Sequence, residues 1–132
     1  MTSFLRSLLQ MLGVASPPAR PQKSPEQKKQ EDRFALDRLC ITSSLDVPHR
    51  VRHTLFFDNL QKSANAVHYL REQGIAASTV PDKKHAYVLV DTRAYPTESK
   101  IAELRAYYER VAKQFGGEYV GWKAEPLVQD SA

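Results

Sequence analysis

The chain has 132 residues, a formal net charge of +4 and one cysteine. This length accommodates one domain with tails. The ordinary apolar content excludes full disorder, and no apolar run approaches the ~20 residues of a membrane-spanning helix. Cys40 stands alone, so an intramolecular disulfide is excluded; a reducing, cytoplasmic setting and a buried, inert thiol are expected. The positive charge is uneven: residues 1–52 carry nine basic and five acidic side chains, whereas residues 53–132 carry ten of each.

In chain order, residues 3–13 place Phe4, Leu5, Leu8, Leu9 and Leu12 on one side of a short predicted helix. The apolar stretch there is broken by Gln10 and preceded by Arg6 alone, too weak a pattern for a secretory signal. Pro17, Pro18, Pro21 and Pro25 then mark a linker rich in Lys, Gln and Ser. Ser24 can cap a helix that starts at Pro25 and runs to about Ile41, with Phe34, Ala35, Leu39 and Cys40 as its apolar side. Val51 to Asp58 reads as a strand, and Asp58 or Asn59 caps a helix over 60–73 whose inner stripe is Leu60, Ala64, Val67 and Leu70. Gly74 supplies its stop. Strands follow over 75–80 and 85–92, joined by the turn residues Pro81 to Lys84. Thr97 caps a helix over 98–115 with the clearest periodicity in the chain: Ile101, Leu104, Tyr108, Val111 and Phe115. Gly116-Gly117 ends it, and a last strand runs over 118–125 before Pro126.

The order strand, helix, strand, strand, helix, strand predicts an α+β, ferredoxin-like split-βαβ sandwich: a four-stranded antiparallel sheet with two helices on one face, preceded by an extra helix. If Leu55, Phe57, Val88, Val90, Val120 and Trp122 face the helices, then Phe56, Tyr87, Leu89 and Tyr119 fall on the opposite, open face. That face is too apolar to stand simply in water, so either the 26–41 helix or another molecule covers it. Gly121 suggests a bulge beside Trp122, which reads as a core anchor or a partner anchor.

No arrangement of side chains points to chemistry. The four histidines (His49, His53, His68 and His85) lack close metal-ligand spacing, and there is no nucleophile elbow or phosphate-cradling loop. The run Leu55-Phe56-Phe57-Asp58-Asn59-Leu60 is similar to the first-strand signature of an RNA-recognition domain. The third strand, His85-Ala86-Tyr87-Val88-Leu89-Val90, lacks the matching glycine and the two spaced aromatics.

Several segments, in order, resemble the RraB family, regulators (inhibitors) of ribonuclease E activity. They are Phe34-Ala35-Leu36-Asp37-Arg38-Leu39, then Pro48 through His53-Thr54-Leu55-Phe56-Phe57, then Ala64 through Leu70 with Gly74. The closing run Phe115-Gly116-Gly117-Glu118-Tyr119-Val120-Gly121-Trp122 is similar to the family's Tyr-Asp-Gly-Trp ending, with Val120 in place of Asp. The resemblance implies a ferredoxin-like, non-catalytic regulator that binds ribonuclease E and reduces RNA cleavage. The family's known inhibitors are strongly acidic, unlike this balanced domain.

The expected organisation is a segment 1–30 with an amphipathic stretch and linker, a regulatory domain over 31–126 and a frayed 127–132. The expected function is a cytoplasmic protein-binding regulator without cofactor, metal or catalytic residues. Its candidate partner-binding residues are Phe56, Tyr87, Tyr119 and Trp122. An RNA-binding module using the basic arm and the aromatic sheet face is the second reading.

Overall fold

A computed structural model describes residues 23–127. The amphipathic segment expected over 3–13, most of the linker and the expected frayed end lie outside those residues. Seven elements follow in order: α1 (Pro25–Thr42), β1 (His49–Phe57), α2 (Leu60–Glu72), β2 (Ala76–Asp82), β3 (His85–Ala94), α3 (Glu98–Gln114) and β4 (Glu118–Pro126).

Local chemistry sets the boundaries. Ser24 caps α1 in a reciprocal box with Gln27, and Pro25 occupies the first turn, where its missing N–H is no loss. Asn59 accepts from the Lys62 N–H at 2.8 Å to start α2, and Thr97 does the same for Lys100 at 3.1 Å to start α3. Gly74 and Gly116, both at φ +79°, supply the left-handed residues that end α2 and α3.

The strands form one antiparallel sheet in the order β2-β3-β1-β4, so β1 and β3 are central. Pro81 lies in β2, an edge strand, where a missing donor is tolerated. Strand alternation assigns the faces. Val51, Leu55 and Phe57 of β1 join Val88 and Val90 of β3 in a core with Ala66, Val67 and Leu70 of α2 and Ile101, Leu104, Tyr108 and Val111 of α3. Both helices therefore cover the same face of the sheet.

Four details correct the sequence-based expectations. First, the inner side of α2 is Ser63, Ala66, Val67 and Leu70, while Leu60 and Ala64 are exposed. Ser63 is tolerated in the core because its hydroxyl donates to the Leu60 carbonyl at 2.8 Å. Second, the buried side of α1 is Asp32 and Leu36, and Cys40 is exposed. Third, α1 does not cover the open face. It lies along α3, with Leu36 in the core, Arg33 bonded to Glu98 and Lys28 paired with Glu109 at 3.0 Å. Fourth, Tyr119 faces the helices. Thr54 pairs with Gly121 and Leu55 with Tyr119, so Val120 is an extra residue in β4. This bulge, anticipated beside Gly121, puts Tyr119 on the same side as Trp122.

Candidate interaction surfaces

The four expected partner-binding residues separate into two pairs. Phe56 and Tyr87 are direct cross-strand neighbours on the open face, their ring centroids 5.4 Å apart in an edge-on arrangement. Tyr119 and Trp122 lie on the helix side, inside a polar network.

That network is built from four elements. Arg105 of α3 donates from Nη1 to Asp32 Oδ1 of α1 at 2.7 Å, and the Trp122 Nε1 of β4 donates to the same oxygen at 2.8 Å. Glu31 lies 3.3 Å from the guanidinium, and the guanidinium carbon sits 5.4 Å from the centre of the Tyr119 ring. Burial opposes the charge on Arg105, but the Asp32 carboxylate outweighs it and holds the pKa above the usual arginine value. The Tyr119 hydroxyl shares a 2.8 Å hydrogen bond with His53 Nδ1, and burial pushes the tyrosine pKa up. His53 is fully buried, its ring 4.5 Å from that of Tyr108. Burial, then the nearby Arg105 charge, lowers its pKa to about 4. The network closes the joint between α1, α3, β1 and β4. Buried this way, it serves packing and orientation rather than an exchange with solvent.

The open face has two zones. At one end Phe56 contacts both Tyr87 and His85, the latter with ring centroids 5.3 Å apart, and Val80 stands beside Tyr87 at 43% exposure. Residues 85, 87 and 89 alternate on the same side of β3. At the other end, Arg50 is opposite Arg93, and Arg52 is opposite both Asp91 and Lys123. Arg52 grips Asp91 with two bonds of 2.8 and 3.1 Å, which raises the arginine pKa and lowers that of the carboxylate. Arg50 is paired with Glu125. Arg93 and Lys123 are exposed and have no ion-pair partner among the described residues.

A third surface lies on α1. Phe34 and Ile41, one heptad apart, share a side of the helix roughly opposite the anchored Asp32 and Leu36. They are 64% and 81% exposed, and the Arg38 guanidinium lies 5.8 Å from the Phe34 ring centre. Among the described residues, no group of His, Cys, Asp and Glu is placed to hold a metal ion. No described helix is long and apolar enough to cross a membrane.

A family model described as "Regulator of ribonuclease activity B" (RraB) matches residues 29–124. The chain belongs to the RraB family. A search of curated proteins finds no match. The RraB match starts inside α1 and ends inside β4, so it takes in the α1 side, the buried network and both zones of the open face. Family membership assigns the chain to regulators of ribonuclease activity.

Two features were missed in the sequence. His85 is the third ring of the open face; the signal available was its two-residue spacing from Tyr87. The outward stripe of α1 was missed because Phe34 reads as core material. The buried Asp32 three and four residues before Ala35 and Leu36 was the clue that the other side of the helix faces inward.

Proposed function

We propose that this RraB-family protein is a non-catalytic, cytoplasmic regulator that slows RNA cleavage by binding a ribonuclease, with ribonuclease E as the first enzyme to test. The βαββαβ order and the β2-β3-β1-β4 sheet support a ferredoxin-like framework for this role. The observation that carries the binding surface is the outward stripe of α1. Phe34 and Ile41 are the most exposed large apolar side chains described, yet the helix that bears them is anchored on its other side by Leu36 and by the Asp32–Arg105 pair. An immobilised helix with outward apolar side chains loses little conformational freedom on docking, which favours affinity.

The test is an RNA cleavage assay with purified ribonuclease E and increasing amounts of the full chain, alongside a direct binding titration. The expected result is slower cleavage at saturation, with Phe34→Ala plus Ile41→Ala weakening nuclease binding by about tenfold or more. Both positions are exposed, so the double variant should keep its fold. Unchanged cleavage at saturating protein, or no measurable binding of the enzyme, refutes the reading. An unrelated ribonuclease acting on the same RNA is the control: equal slowing of both enzymes indicates shielding of the RNA, not capture of ribonuclease E.

A further inference from the structure

The open face of the sheet is uncovered in a way that apolar packing does not explain. A surface meant only for water would not gather three rings, and a surface meant for a protein core would not set unpaired cations beside them. Phe56 sits on central strand β1, with Tyr87 and His85 two residues apart on central strand β3. All three rings are in mutual reach through Phe56. Rings of Phe, Tyr and His offer flat π surfaces on which unpaired bases stack, largely without regard to base identity.

The charges complete the pattern. Arg50 and Arg52 are neutralised by Glu125 and Asp91, but Arg93 and Lys123 flank them with no ion-pair partner among the described residues. Arg52, which Lys123 faces across β1 and β4, lies four residues from Phe56, roughly 13 Å along an extended strand. Lys83 and Lys84 form the β2–β3 turn next to His85, at the other end of the rings. The rings therefore lie between two groups of cations. This is the layout of a strand-binding surface: stacking in the middle, phosphate contact at both sides.

We propose that the open face binds single-stranded RNA, with bases stacking on Phe56, Tyr87 and His85 and phosphates held by Arg93 and Lys123. Stacking and phosphate contact do not by themselves separate RNA from DNA; the choice of RNA rests on membership of a family that regulates ribonuclease activity. Binding of RNA by the sheet is otherwise independent of nuclease binding by α1, since the two surfaces share no residue. A chain with both would contact the nuclease and the strand that it cuts.

The experiment is fluorescence anisotropy of the full chain with a labelled single-stranded oligouridylate of about ten nucleotides, a length of the order of known single-strand sites. Phe56→Leu and Tyr87→Leu keep apolar bulk and remove the ring; circular dichroism checks that each remains folded. Each should weaken binding by about tenfold, the scale of losing one stacked base. Arg93→Ala plus Lys123→Ala should weaken binding and make its salt dependence shallower by about one in logarithmic slope. Lys113→Ala, at an exposed position of α3 away from the sheet face, should change nothing. The same sequence as a duplex should bind at least about tenfold more weakly, because its bases are already stacked.

Absence of binding by the folded chain overturns the proposal, as does full affinity in the two leucine variants. A loss with Lys113→Ala equal to that with the Arg93 and Lys123 change would reduce the binding to general charge attraction, and also overturns it. If RNA is not bound and the leucine variants instead lose the nuclease, the face belongs to the protein partner and the RNA assignment fails.

Discussion

Arg105 and Asp32 meet at 2.7 Å with only 7% and 6% of their side chains exposed, although 73 residues separate them in the chain. Two charges taken out of water recover their solvation only if each is fully bonded. Here Asp32 accepts from both Arg105 and Trp122, and Arg105 also reaches Glu31, Glu109 and the Lys28 carbonyl. The pair joins α1 to the rest of the domain with a defined geometry, which sets the direction in which Phe34 and Ile41 point.

Asp32→Ala should therefore cost about 3 kcal/mol, because it strands a buried guanidinium and leaves the indole N–H without its acceptor. Chemical denaturation measures the loss. Replacing both partners, as in Asp32→Leu with Arg105→Met, should cost clearly less than the single change, since no buried charge is left unpaired. Equal losses for the single and double variants would show that the pair matters only as packing volume.

His53 makes stability depend on pH. Its folded pKa of about 4, lowered first by burial and then by Arg105, lies below the unfolded value of about 6.5. Between these values the unfolded chain binds the additional proton, so stability is complete above about pH 6.5 and is lost as pH falls toward 4. The domain should be less stable at pH 5 than at pH 7 by about 2 kcal/mol from this group. Glu31 and Asp91, held below their ordinary values chiefly by hydrogen bonds from Lys23 and Arg52, add losses at lower pH. Denaturation of His53→Phe, which retains a ring against Tyr108, should show a nearly flat response between pH 5 and 7. A slope like that of the parent would assign the effect to other groups.

Much of the framework was legible because it is written in local chemistry. Ser24, Asn59 and Thr97 act as the caps expected of such residues, and Ile101, Leu104, Tyr108 and Val111 point inward at the expected spacing. The errors arose where tertiary contacts outrank local preference. Ser63 displaced Leu60 from the core because a small, internally bonded residue lets α2 approach the sheet. One extra residue in β4 reversed the side of Tyr119, and strict alternation cannot locate such an insertion within a strand. The Asp32–Arg105 pair has no periodic signal at all. Of the expected partner-binding residues, Phe56 and Tyr87 remain on the surface proposed for a ligand, and Tyr119 and Trp122 are tied into the joint beneath it.

Cys40 should react readily in the folded protein. Its thiol donates to the Asp37 carbonyl at 3.2 Å but is exposed on α1. Titration with a chromogenic disulfide reagent under native conditions should label one thiol per chain, at a rate within about tenfold of the denatured control. Labelling that waits for unfolding would restore the buried reading made from the sequence.

Gly117 and Gly121 offer a contrast within one strand region. A Cβ on Gly117 would come within 2.4 Å of the Phe56 carbonyl oxygen and 2.5 Å of the Phe57 ring, whereas one on Gly121 would meet nothing within 4 Å. Backbone conformation does not separate the two, because neither glycine has positive φ. The difference is therefore one of space. Gly117→Ala must move β4 away from β1 or displace Phe57 from the core, at a cost of about 2 kcal/mol. Gly121→Ala should remain within about 0.5 kcal/mol of the parent. Parallel urea titrations of the two variants compare them directly. Because the movement would pass through Phe56, Gly117→Ala should also weaken any ligand of the open face, while Gly121→Ala should leave the ring cluster in place. Equal stability of the two variants would mean that the β1–β4 contact yields more easily than its close approach implies.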